Sequence, residues 1–278
     1  MTATVSNFYY GSVTPIAAYL MACLGAALGL RCTTRSLRRT HQHRRALWLM
    51  LGAVSMGCGI WTMHFIAMMG FSVEGALVSY DWTMTLISLG VAIVFVAVGV
   101  FLVGYRGSSP GNLGVAGVVT GLGVAAMHYI GMAAMDMDGT LQYDVRTAVL
   151  SVLIAVVASV AALWAAVSVH GVWSSLMASL VMGVAVTGMH YTGMAAVTVH
   201  LSHATSTPQS SASLLSFLLL MLVGPLAVLV IAAVIVFFDP DIMLGDGEWN
   251  PAAPTPRNAD ATATTQPVTQ TPRTHGWQ

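Results

Sequence analysis

The sequence predicts an all-α membrane protein of seven transmembrane helices: three tandem two-helix repeats preceded by one extra helix. Three observations carry that prediction. The chain of 278 residues is 56% hydrophobic and 7% charged, whereas a soluble domain carries roughly 25% charge. Seven apolar runs each reach the ~20 residues that a helix needs to cross a bilayer. A block of similar sequence then recurs three times along those runs, which marks an internal repeat.

The elements follow in order. Residues 1–12 carry no basic residue ahead of the first apolar run, so they do not form a secretory signal and are expected outside the membrane. The first run covers 13–30. The loop after it, "RCTTRSLRRTHQHRR", holds six Arg. The second run, 46–70, ends in "TMHFIAMMGF". The third, 82–104, is opened by "YDWTMTLIS" and followed by Arg106. The fourth, 113–135, ends in "AMHYIGMAAM". The fifth, 147–168, is opened by "YDVRTAVLS". The sixth, 174–198, contains "GMHYTGMAAV", and the seventh, 214–238, contains Pro225, where a kink is expected. None of the runs alternates with period two, so helices rather than barrel strands are expected. Residues 239–278 are rich in Pro, Thr and Ala without apolar periodicity, and read as a disordered tail. The seven-helix domain is therefore assigned to 13–238.

Arginine placement sets the orientation. The first loop and Arg106 lie on one side, while the opposite loops hold Arg146 with Glu74, Asp81, Asp136, Asp138 and Asp144. The positive-inside rule puts the N-terminus outside and the C-terminus in the cytoplasm of a plasma-membrane protein. Zero net charge gives no reason to expect nucleic acid as a partner. The lipid bilayer is the partner that composition requires. The three cysteines, Cys23, Cys32 and Cys58, form no disulfide framework. Cys58 stands six residues before a histidine, so it is a minor ligand candidate.

Aligned on their histidines, the three copies share Gly57, Gly121 and Gly183; Met63, Met127 and Met189; His64, His128 and His190; Phe65, Tyr129 and Tyr191; and Met68, Met132 and Met194. The helices carrying them are separated by single return helices, so all three run in the same direction. Each His then falls at one depth, roughly 10 Å beneath the outer boundary at 1.5 Å per residue. The Met four residues later shares its face, and the Gly seven residues earlier allows a close helix approach. Intramembrane ionisable residues mark functional sites by default. His64, His128 and His190 are accordingly the candidate metal ligands, with Met68, Met132 and Met194 beside them. Imidazole and thioether together favour copper, and three His with an open position would also hold zinc, the second choice. Glu74, Asp138 and His200 form a further column ten residues on, placed to collect a cation at the outer mouth. Tyr129 and Tyr191 could support the ligating His, but Phe65 cannot share that role, so helix packing is the preferred reading of the three aromatics.

The three copies resemble the MHYT domain family, named for Met-His-Tyr-Thr. Met189-His190-Tyr191-Thr192 matches in full; the second copy has Ile130 for Thr, and the first reads Met63-His64-Phe65-Ile66. The resemblance covers 13–238. It implies an integral-membrane sensor that binds copper and perceives oxygen, carbon monoxide or nitric oxide, with a cytoplasmic cyclic-dinucleotide enzyme domain in many members. No nucleotide loop, nucleophile triad or carboxylate pair is found in the sequence, so the chain is not expected to be an enzyme. Its output is expected to pass to a separate signalling partner. Cation transport is the alternative, and a structural module with helix-pairing histidines is the third.

Overall fold

A computed structural model describes residues 5–7, 9–37, 42–73, 78–168, 171–201 and 211–238. Its seven helices are α1 (Val13–Leu37), α2 (Gln42–Met69), α3 (Trp82–Arg106), α4 (Pro110–Ala133), α5 (Val145–Ser168), α6 (Val172–Ala195) and α7 (Ser211–Phe237). All seven contain a stretch long and apolar enough to span a membrane. The chain is a multi-pass membrane protein. The helices α1 and α2 reach past their apolar runs into the Arg-rich connection, because Arg is a good helix former and its charge can extend to water at a helix end. Pro225 lies within the continuous helix α7. Residues 239–278, and the tail expected there, lie outside the described residues.

Polarity is distributed as lipid demands. Leu86, Ile87, Val94 and Val98 of α3 and Val149, Leu150, Leu153 and Val157 of α5 are exposed, while Ser88, Thr120, Ser151, Ser179 and the three motif histidines are buried. In hydrocarbon an exposed aliphatic side chain costs nothing, and polar groups gain by facing protein partners.

Six helices form a closed ring. The contacts run from α1 to α2, α3, α4, α5 and α6, and α6 packs back on α1. The sequence repeat pairs α2 with α3, α4 with α5 and α6 with α7. In space α1 takes the position beside α6 that α3 takes beside α2 and α5 beside α4. The helix α7 packs on α2 and α1, through Leu229, Ala232 and Val236 against Leu28, Cys32 and Cys58. Cys58 therefore belongs to this apolar seam, and the clustered ligand group does not include it.

The shared glycines show the threefold arrangement directly. A Cβ on Gly57 would meet the backbone of Ile93 in α3, one on Gly121 the backbone of Val156 in α5, and one on Gly183 Tyr19 and Cys23 in α1. The three positions serve one purpose, the close approach of a motif helix to its neighbour.

Short strands that the all-helical expectation did not include stand at the end of the bundle nearer the histidines. These are β1 (Val5–Ser6), β2 (Ser72–Val73), β3 (Ser79–Tyr80), β4 (Met135–Asp136), β5 (Gly139–Tyr143) and β6 (Val197–Leu201). They pair antiparallel as β1–β2, β3–β4 and β5–β6. One backbone bond repeats at each junction: Tyr9 N–H donates to Gly70 O at 3.0 Å, Asp81 N–H to Ala134 O at 2.8 Å, and Asp144 N–H to Ala196 O at 2.8 Å. Each strand pair ties the end of a motif helix, α2, α4 or α6, to the start of the helix before it in the chain, α1, α3 or α5, so backbone groups leaving the helices are satisfied in the sheet.

Candidate metal centre

The histidines owe their common depth to helix length. His64, His128 and His190 stand in α2, α4 and α6, which end at Met69, Ala133 and Ala195. Each is five residues, or about 7.5 Å, from the outer end of its helix. The ring places these three parallel helices around one axis, and the imidazoles meet on it.

All three side chains are buried. His64 Nδ1 lies 3.0 Å from His190 Nδ1 and 3.2 Å from His128 Nδ1. The ring planes stand 75° to 89° apart. The three offer ligand atoms within 4.8 Å of one another. Three neutral imidazoles cannot satisfy three converging nitrogens, because one proton serves only one pair and the remaining lone pairs face each other. A cation on the axis would accept all three. Ligands about 2.0 Å from a tetrahedral ion sit about 3.3 Å apart, close to the spacings found here, so the residues present fit a metal ion held through Nδ1.

The opposite ring nitrogens are pressed against neighbouring backbone. The Nε2 atoms of His64 and His128 are buried without a hydrogen-bond partner. A Cβ on Gly131 of α4 would stand 2.5 Å from His64 Nε2, and one on Gly193 of α6 would collide with His128. Gly131 and Gly193 each follow their own histidine by three residues, and Ala67 holds that place in α2. Each glycine thus makes room for the histidine of another repeat. Sequence reading missed this pair, although the column of small residues Ala67, Gly131 and Gly193 was there to be found.

The aromatic residue after each histidine is a packing residue, as preferred from the sequence. Phe65, Tyr129 and Tyr191 pack edge-on against His64, His128 and His190, with ring centroids 4.8, 5.0 and 5.0 Å apart. The Tyr129 hydroxyl is bonded to Ser151 Oγ at 2.7 Å in α5, away from the imidazole. The ring is the shared feature, which is why Phe65 serves in the first copy. Trp61 makes the corresponding reach into α3, donating to Ser88 Oγ at 2.9 Å. Ser88 and Ser151 are the last residues of the two similar segments that open α3 and α5. The acids of those segments cap the same helices: Asp81 accepts from Met84 N–H at 2.7 Å, and Asp144 from Thr147 N–H at 2.9 Å.

The methionines Met68, Met132 and Met194 are buried beside the cluster's depth. The helices that carry His128 and His190 end before the column formed by Glu74, Asp138 and His200. Asp138 is exposed just before β5, His200 pairs with Thr140 across the β5–β6 ladder, and Glu74 lies outside the described residues. Among the described residues the clustered ligand group contains His64, His128 and His190 alone.

Comparison with known proteins agrees with the repeat. The family model described as a bacterial signalling protein N-terminal repeat, MHYT, matches residues 57–116, 121–179 and 183–242. The chain is similar to a bifunctional diguanylate cyclase/cyclic di-GMP phosphodiesterase, MucR, of Pseudomonas aeruginosa, at 46% identity over 55% of this chain and 23% of that protein. It is 38% identical to the cyclic di-GMP phosphodiesterase NbdA of the same organism, over 69% of this chain and 25% of the relative. It is 31% identical to the signaling protein YkoW of Bacillus subtilis, over 65% of this chain and 23% of the relative. The matches span about a quarter of the length of these relatives. No solved structure matches the chain.

Proposed function

The chain belongs to the MHYT family of bacterial signalling-protein repeats, and from that premise we propose that it is a sensor whose three-imidazole centre holds a copper(I) ion. The observation that carries this reading is the convergence of three buried Nδ1 atoms from three separate spans. The donor set argues for the ion. It contains no carboxylate among the described residues, so nothing anionic offsets the charge of a cation taken out of water. The desolvation cost rises steeply with ionic charge, which favours a monovalent ion over zinc(II). Copper(I) also accepts imidazole and thioether donors, and Met68, Met132 and Met194 are buried thioethers one helical turn from the histidines.

When bound, copper(I) supplies an open coordination position suited to a neutral diatomic ligand such as oxygen, carbon monoxide or nitric oxide. The protein's own part is to hold the rings at fixed spacing, keep water out and couple three spans at one point. A change in ring spacing would alter the packing of α2, α4 and α6 together, which is the element a signal needs to bias. The printed names of the relatives support cyclic di-GMP turnover as the class of output, reached through a signalling partner. The Arg-bearing helix ends opposite the histidines support a plasma-membrane orientation with the site near the outer face.

Transport fits less well. A cation moving inward from the histidines would meet Ile60, Val124 and Val186 one turn below them, residues that offer it no ligand.

Elemental analysis tests the reading. Protein extracted from membranes without added metal should carry about one copper per chain, and His128→Ala should release it. Zinc in every preparation would favour a closed structural site instead. Absence of any metal from a folded, monodisperse preparation would favour histidines that only pair helices.

A further inference from the structure

The end of the bundle away from the histidines carries charge of one sign. Arg31 and Arg35 stand in the last turns of α1, Arg44 and Arg45 in the first turn of α2, and Arg106 at the end of α3. The acids among the described residues are Asp81, Asp136, Asp138 and Asp144, and all four stand at the opposite end, at the starts of α3 and α5 and on or beside β4 and β5. Among the described residues, no carboxylate therefore answers these guanidinium groups. A cation at a helix C-terminus offsets the helix dipole, which accounts for Arg35 and Arg106. The same dipole opposes Arg44 and Arg45, because they open a helix rather than close one. An anion from outside the chain would relieve that repulsion.

Two of the cations are held in position. The Arg35 guanidinium lies over the Trp48 ring at 5.6 Å from its centroid, and that of Arg45 over the Tyr105 ring at 5.4 Å. Both fall within the roughly 6 Å of a cation–π contact. Arg45 also donates to the carbonyl of Gly104 near the end of α3. Trp48 stands one helical turn from Arg44 and Arg45 on α2, so Arg35, Arg44 and Arg45 gather around a single turn. A guanidinium presents N–H donors in a fork that matches two oxygens of one phosphate. Arg45 is only about 4.5 Å into α2, a level where Trp and Tyr mark the boundary between headgroups and hydrocarbon. Leu47 and Met50 follow on α2 toward the membrane interior, and both are exposed. The surface is cationic at the boundary and aliphatic immediately below it. A soluble anion would use the first half alone, whereas a molecule with a phosphate above an alkyl chain uses both.

We infer that Arg35, Arg44 and Arg45 form a headgroup site for an anionic phospholipid, with its acyl chain lying along Leu47 and Met50. The site stands apart from the three imidazoles and needs no metal. A phosphate held there joins the end of α1 to the start of α2, and through Arg45 and Tyr105 to the end of α3. It ties three ring helices together at the end opposite the histidine cluster.

Native mass spectrometry of the full chain in detergent, with dioleoyl phosphatidylglycerol or dioleoyl phosphatidylcholine added, tests the site. The parent should retain the anionic lipid in preference to the neutral one. Arg44→Gln should weaken that retention by about fivefold, and Arg35→Gln together with Arg44→Gln further. Arg35→Lys with Arg44→Lys keeps both charges and removes the fork. It should lose part of the preference, and it keeps the test decisive if the Gln pair fails to fold. Arg106→Gln removes a cation from the same end but outside the cluster, and should leave retention unchanged. Equal retention of the two lipids by the parent would overturn the site. Equal losses in Arg106→Gln and Arg44→Gln would replace it with a diffuse field of charge. Displacement of the lipid by millimolar inorganic phosphate would overturn the assignment to a lipid in favour of a soluble phosphate. Copper content should be the same in all these variants, so failure here and failure of the metal reading are separate results.

Discussion

At the scale of single residues, the centre depends on atoms that are missing. His64 and His128 are seated only because Gly131 and Gly193 lack a Cβ, so two positions without side chains fix the spacing of two imidazoles. Gly188 provides an internal control, since a Cβ there would meet nothing within 4 Å. Gly193→Ala is expected to push His128 off the axis, destabilise the fold by ~1–3 kcal/mol through overpacking and lower the copper content. Gly188→Ala should leave copper content unchanged and stabilise α6 by up to ~1 kcal/mol through helix propensity. Metal analysis and thermal melts of the two variants decide the matter: equal loss of copper in both would remove the seating argument.

At the scale of elements, the return helices are anchored by their caps. Asp144 stands at the start of α5, outside the span, and accepts from both the hydroxyl and the amide of Thr147. The hydroxyl bond, followed by the amide bond, holds its carboxyl below the usual carboxylate range. The folded state therefore binds the Asp144 proton more weakly than the unfolded chain does. The contribution of this cap is complete above the ordinary Asp range, near pH 4, and is lost as pH falls through the lower, folded value. Unfolding followed across that window should show a loss of stability in the parent that Asp144→Asn flattens. A parallel slope in the variant would mean that other carboxylates set the acid limit. The same caps explain why two segments opening α3 and α5 resemble each other when most of the lipid-facing surface does not. Asp81 and Asp144 cap, Ser88 and Ser151 receive Trp61 and Tyr129, and between them Leu86, Ile87, Val149 and Leu150 are exposed, where any aliphatic residue serves.

At the scale of the whole molecule, the ring closes without its last helix. The closure of α6 on α1, with α7 set against α1 and α2, separates the elements that build the site from the one that leads to the C-terminus. A chain that stops before Ser211 is expected to keep whatever metal content the full chain shows while melting at a lower temperature, because the seam of Leu229, Ala232 and Val236 with Cys58 is lost. Loss of the metal together with α7 would show that α2 cannot hold His64 in place without that outer support. Among the described residues, α2 carries both a histidine of the centre and a packed face toward α7.

The sequence by itself determined the seven spans, their three repeats, the shared depth of His64, His128 and His190 and the two similar segments that open α3 and α5. Each of these follows from local rules: the length of an apolar run, the rise per residue of a helix and the recurrence of a segment along the chain. It could not order the helices in space. A repeat read along the chain leaves α1 unpaired and gives α7 a place, whereas packing reverses the two, because Gly183 accepts the side chains of Tyr19 and Cys23 across more than a hundred and fifty residues. Only the tertiary structure decided that the imidazoles meet, that Gly131 and Gly193 make room for them and that His200 stands on a strand with Asp138 just before another. Those outcomes depend on which surfaces touch, and contact between distant segments is a property of the closed ring rather than of any one helix.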